Sequence, residues 1–168
     1  MDKTTITIII VVAAIWIVLT IFFVWLNKKR KGSQSSFLEK NKDKAILHLY
    51  CKNITIDGRD LAIFEPVTGE YAQKIVALPA GSHTIEGVFE TTEITMTGKN
   101  RNLVSEKLSF DLDLEAGHQY TAGMYSYPPE EGKSDYEGNA GKDIFTMPLT
   151  AYEGSSKVAA YIICYQED

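Results

Sequence analysis

Phe110-Asp111-Leu112-Asp113-Leu114-Glu115 exchanges apolar and acidic side chains at every step. Successive side chains of an extended chain point to opposite faces, so this period of two describes a strand with one face in a core and the other in water. A helix would scatter the same residues around its circumference. A mainly β fold is expected for the chain around it.

Working outward, Ala116-Gly117 turns the chain and residues 120–125 make a further strand, with Gly123 suited to a bulge. Residues 84–89 and 93–96 read as extended segments interrupted by Gly87, and 71–78 as a strand closed by Pro79-Ala80-Gly81. Leu47, Leu49 and Cys51 alternate with His48, Tyr50 and Lys52, so the core begins at Ala45. Asp57-Gly58 tolerates positive φ at both positions and predicts a hairpin into a strand over 61–64. Residues 144–147 and 157–165 close the domain, the second so apolar that it belongs in the middle of a sheet. Short strands separated by turns at this spacing predict a β-sandwich over residues 45–168, with a long Gly-, Pro- and acid-rich surface loop at 126–143.

Ahead of this domain, after a three-residue tail, residues 4–26 read TTITIIIVVAAIWIVLTIFFVWL without one charged side chain. About 20 such residues at about 1.5 Å each cross a hydrocarbon core about 30 Å thick, and no domain this small could cover the run as a core helix. The expectation is a transmembrane helix. The run exceeds a signal-peptide core and is followed by no A-x-A cleavage site, so it is expected to be retained as an anchor in a lipid bilayer. Trp25 and the cluster Lys28, Lys29, Arg30 and Lys31 mark its membrane interface. Basic residues resist translocation, which places the C-terminal domain in the cytoplasm. Residues 27–44 are polar and charged and read as a basic, flexible tether, with some helix near Phe37 and Leu38.

The charge is unevenly divided. The whole chain carries −5, but residues 33–168 keep 12 of the 17 Lys and Arg and 21 of the 22 Asp and Glu, a net −9. Such a surface is repelled by nucleic acid and by anionic lipid, and leaves basic partners open to it.

Three stretches share a pattern: IDGRDL at 56–61, LPAGSHTI at 78–85 and LDLEAGHQYTAGMY at 112–125. Their order of turn, Pro-Ala-Gly-x-His strand start and second Ala-Gly-His turn resembles the PEGA-like and related immunoglobulin-like domains of bacterial envelope proteins. The resemblance implies an immunoglobulin-like β-sandwich. It also implies an extracytoplasmic setting, the alternative to the placement drawn from the lysine cluster. No lipobox cysteine accompanies it, the first cysteine being Cys51.

Residue patterns for chemistry are sparse. His48, His83 and His118 could supply zinc nitrogens, but His83 and His118 occupy matching places after Ala-Gly turns, where a polar side chain bonds the turn backbone. Asp111, Asp113 and Glu115 are accounted for by strand alternation, and calcium takes its carboxylates from loops. The acidic 126–143 loop is therefore the better calcium candidate and supports an alternative role as a calcium or small-ligand sensor. Motifs for nucleophilic catalysis and phosphate binding are missing from the sequence, and Asn53-Ile54-Thr55 is a bare glycosylation tripeptide. Cys51 and Cys164 sit in apolar runs, as reduced core residues do; a bridge between them would fit the outward topology. The expectation is a non-enzyme without metal or cofactor. It binds a protein partner or assembles an envelope complex, with Tyr125, Tyr127 and Tyr136 in or beside the long loop as contacts and Tyr152 nearby.

Overall fold

A computed structural model of the chain describes residues 2–69, 72–95, 98–126 and 141–167. It opens with α1 (Lys3–Lys40), followed by β1 (Ala45–Leu49), β2 (Cys51–Ile56), β3 (Arg59–Asp60), a 3-10 turn (Leu61–Phe64), β4 (Val67–Thr68), β5 (Lys74–Leu78), β6 (Gly81–Ile94), β7 (Asn100–Leu114), β8 (Gln119–Tyr125), β9 (Lys142–Glu153) and β10 (Ser156–Gln166). The mainly β fold preceded by one long apolar helix is as the sequence leads one to expect.

The helix does not stop where the apolar run does. Where a flexible tether is expected over 27–44, α1 continues through Lys40. The reason lies in composition: Lys, Arg, Gln, Glu and Leu lose little rotamer freedom in a helix, and a helix already nucleated adds one hydrogen bond for each further residue. Gly32 costs only about 1 kcal/mol against that trend. Asn41 ends the helix, its backbone N–H reaching Phe37 O at 3.2 Å and its Nδ2 donating to the same carbonyl at 2.9 Å. Only residues 41–44 separate helix from sheet. They are pinned by Lys44 N–H to Asn41 O at 2.9 Å and Gly117 N–H to Lys44 O at 3.0 Å, while the last turns of α1 lie against β4.

The ten strands form one curled sheet in the order β3-β2-β6-β7-β9-β10-β8-β1-β5-β4. Pairing is antiparallel except between β1 and β8. Two features turn it into a sandwich-like body. First, β7 and β9 share only Val104↔Tyr152 and Ser105↔Ala151, so the sheet folds at that seam. Second, β1 and β2 are nearly one continuous strand, yet β1 pairs with β5 and β8 while β2 pairs with β6 and β3. The chain changes layer at Tyr50.

Inside, Phe110 lies tilted against Phe89 at 5.8 Å between centroids, in one core cluster with residues such as Leu47, Leu49, Val76, Leu112, Tyr120 and Ile162, and stacks at 5.0 Å on Phe145, which packs against that cluster. Phe110, Leu112 and Leu114 are buried and Asp111, Asp113 and Glu115 exposed, as their alternation requires. β7 changes phase upstream, where Leu103 and Ser105 face in. Opposite Phe89 the register slips, and Ser105 Oγ fills the gap by accepting from Phe89 N at 2.9 Å and donating to Glu106 O at 2.7 Å. Gly87 does not break β6; a Cβ there would lie 3.1 Å from Cys51 Sγ, so the glycine permits close approach of β2. Residues 61–64 are a 3-10 turn rather than the expected strand, because Asp60 Oδ1 caps it by accepting from Ala62 N at 2.8 Å; Ile63 is left exposed.

The Asp57-Gly58 hairpin forms as expected, with φ of 52° and 70°. Asp57 Oδ1 accepts from Thr84 N at 2.9 Å, and His83 bridges Asp57 Oδ2 at 2.8 Å and Pro79 O at 2.9 Å. His83 thus ties the first turn to the second, a structural role. The hydrogen bond from His83 comes first among the influences holding the Asp57 carboxyl below its ordinary 3.8. A depressed carboxylate contributes stability that is complete above its unfolded value and disappears as pH falls through the folded one. Asp57→Asn should lower the melting temperature at pH 7 and flatten the loss of stability below about pH 4, read by thermal melts across pH.

Candidate functional site: a cleft at the layer crossing

The layer change at Tyr50 opens a cleft. β8 last pairs with β1 at Leu49↔Ala122, with Tyr50 N–H to Ala122 O at 3.2 Å beyond it, then runs on through Gly123, Met124 and Tyr125. β6 last pairs with β2 at Cys51↔Phe89 and runs on through Glu90, Thr91 and Thr92. Among the described residues β1 does not pair with Gly123 or Met124, nor β2 with Glu90, Thr91 or Thr92. Between them lies a cleft of about 600 Å³ with Tyr50 at its apex, Glu90, Thr91 and Thr92 on one wall and Gly123, Met124 and Tyr125 on the other.

Its rim is tied. The Glu93 carboxylate accepts from Ser126 N at 3.0 Å, Ser126 Oγ at 2.7 Å and Arg101 Nη2 at 2.7 Å, joining the end of β6 to the end of β8. Burial pushes the Glu93 carboxyl up, but the hydrogen bonds from Arg101 and Ser126 outweigh it and hold it below the usual range. On the wall, a Cβ at Gly123 would sit 3.3 Å from the Tyr125 ring, so glycine lets that ring fold back along its own strand. Glu90 Oε2 holds Lys52 Nζ at 2.6 Å at the surface.

Of the expected contacts, Tyr125 lines the cleft, and Tyr127 and Tyr136 lie outside the described residues, as do positions 127–140 of the acidic loop and its calcium reading. Tyr152 lies apart on β9, its hydroxyl donating to Glu106 Oε1 at 2.8 Å. The chain leaves β8 beside Tyr161 and re-enters β9 beside Gln166, so 126–141 links opposite ends of the β10 ladder. Tyr50 and Glu90 are not legible in sequence as site residues: both sit in ordinary strand alternation, and only the crossing of β1 and β2 makes them neighbours of β8.

The histidines serve separate places. His48 is buried in β1 with Nδ1 3.1 Å from Gln73 Oε1, and His118 Nδ1 accepts from Gln166 Nε2 at 2.9 Å. Among the described residues no group of three or more His, Cys, Asp or Glu is arranged to hold a metal. Asp111 accepts from Thr84 Oγ1 at 2.6 Å on the outer face. Cys51 and Cys164 are free, and burial pushes both thiols up to about 12. Since the thiolate is the nucleophile, a maleimide at pH 7.5 should leave both cysteines unmodified in the folded chain and label both after denaturation, as mass spectrometry would show.

At the expected membrane interface, Trp25 is exposed, stacks on Phe22 at 6.3 Å, and carries Lys29 Nζ 5.4 Å over its ring. Lys29 and Lys31 are exposed on the helix surface beyond it. α1 is long and apolar enough to cross a bilayer, and none of its most apolar stretch is covered by the rest of the protein. That removes the core-helix reading of residues 4–26.

Compared with protein-family models, curated proteins and solved structures, the chain matches none.

Proposed function

We propose that this chain is a single-pass membrane protein of a bacterial inner membrane whose β domain is a non-enzymatic binding module, gripping a protein partner at the Tyr50–Tyr125 cleft. The cleft itself carries the reading. Edges of β6 and β8 that β2 and β1 leave at the layer change, an aromatic lining and half-buried tyrosines are features that partner segments use for backbone pairing and side-chain insertion. Tyr127 and Tyr136 are further proposed contacts.

The lysines beyond Trp25 support a cytoplasmic domain, and the two free thiols suit a reducing compartment. Fourteen helical residues separate Leu26 from the end of α1, about 21 Å at the helical rise. That is more than two Debye lengths at physiological salt, about 8 Å each, so the acidic β domain stands clear of most repulsion from anionic lipid. A short turn rather than a slack linker joins stalk to sheet, which presents the cleft at a set height.

A photo-crosslinking residue at Thr91 in the membrane-bound chain tests this. The reading expects one adduct of a single mass, lost on Tyr125→Ala and missing when the crosslinker stands at Asp113 on the outer face. Equal adducts from both positions, or none from Thr91, would remove it.

A further inference from the structure

Glu90 already shows which charge the cleft accepts. Its carboxylate is half-exposed and holds the ammonium of Lys52 at 2.6 Å, on a side chain that is itself 68% exposed. Exposed pairs of this kind contribute little net stability, so the resident ammonium can be exchanged at little cost. Tyr50 and Tyr125 line the same cleft, Thr91 and Thr92 add hydroxyls, and residues 33–168 together carry −9. An aromatic lining beside a carboxylate favours a cation, through ring quadrupoles and the ion pair together.

We infer that the cleft is a receptor for a basic side chain, a Lys or Arg of a partner protein inserted between Tyr50 and Tyr125, with Glu90 as its counter-ion and Lys52 as the internal competitor it displaces. This rests on the cleft being the partner site. Lys52 occupies the carboxylate in the unbound protein and swings to solvent when the partner's cation enters.

The test uses the full chain in phosphatidylcholine nanodiscs, which present no anionic lipid to compete for the probe. A fluorescein-labelled Gly-Lys-Gly-Lys-Gly peptide is titrated by anisotropy against the same peptide with norleucine in place of lysine. Expected results are about tenfold weaker binding for the norleucine peptide and for the lysine peptide on Glu90→Gln, with less than about twofold change on Asp113→Asn. Lys52→Gln should tighten binding, and more than Lys157→Gln, a remote lysine of equal charge. Equal effects of Glu90→Gln and Asp113→Asn, equal effects of the two lysine changes, or indifference to norleucine would each overturn the inference. A Thr91 photo-adduct that persists in Glu90→Gln would sink the cation and leave the partner site standing, whereas no adduct at all would sink the site.

Discussion

A chain lacking residues 4–26 should appear in the soluble fraction, while the full chain stays with membranes through alkaline carbonate extraction. The expected difference is nearly complete. Fifteen of those 23 residues are Ile, Val, Leu or Phe. At about 0.3–0.6 kcal/mol each, they favour insertion by about 5–9 kcal/mol. A single charge at the middle costs about 2.5–3.5 kcal/mol, so Ile15→Lys alone should remain membrane-bound and Ile15→Lys with Leu19→Lys should become marginal. The polar groups of the run are prepared for an apolar surrounding: Thr7 Oγ1 donates to Lys3 O at 3.0 Å and Thr20 Oγ1 to Trp16 O at 2.8 Å.

Phe89→Ala should cost about 3–5 kcal/mol, a large part of the roughly 5–15 kcal/mol that holds a typical domain folded. Phe89 is fully buried, packs on Phe110, which stacks on Phe145, and sits opposite the β7 irregularity where the sheet begins its fold. Truncation would leave a cavity beside the seam where β7 and β9 meet over only two register pairs. Pairing with Cys51 on one side and the bond from Phe89 N to Ser105 Oγ on the other hold the backbone there, limiting collapse into the space. Urea denaturation should show a lower midpoint with an unchanged slope; a slope that also falls would mean that the seam between β7 and β9 opens separately from the rest.

Legibility in the sequence is a matter of range. Alternation in FDLDLE, positive φ at Asp57-Gly58 and an uncharged run of 23 residues are local, and each leads to the element found. The end of α1 escapes a reading by composition because polar residues suggest disorder, whereas helix propagation from an established segment needs no apolar face. The 3-10 turn over Leu61–Phe64 is hidden because capping by Asp60 outweighs an apolar tetrapeptide that looks like a strand. The cleft is beyond reach for a different reason. Only Tyr125 among its residues stands out in the sequence, since the approach of Glu90 to Gly123 depends on β1 and β2 changing layers at Tyr50, a tertiary event with no local pattern. His83 is intermediate: its place after an Ala-Gly turn suggests a backbone bond, and it also reaches the Asp57 side chain of the other turn.

The proposed topology, a retained span with the β domain in the cytoplasm, can be read from a single thiol. Ser35→Cys places an exposed thiol on the stalk between the lysine cluster and the sheet, while Cys51 and Cys164, with burial raising both thiols to about 12, stay silent in the folded chain. Treated with a membrane-impermeant maleimide, the Ser35→Cys chain should remain unlabelled in intact cells and become fully labelled in inside-out vesicles; labelling in intact cells would contradict the claim and put the domain outside.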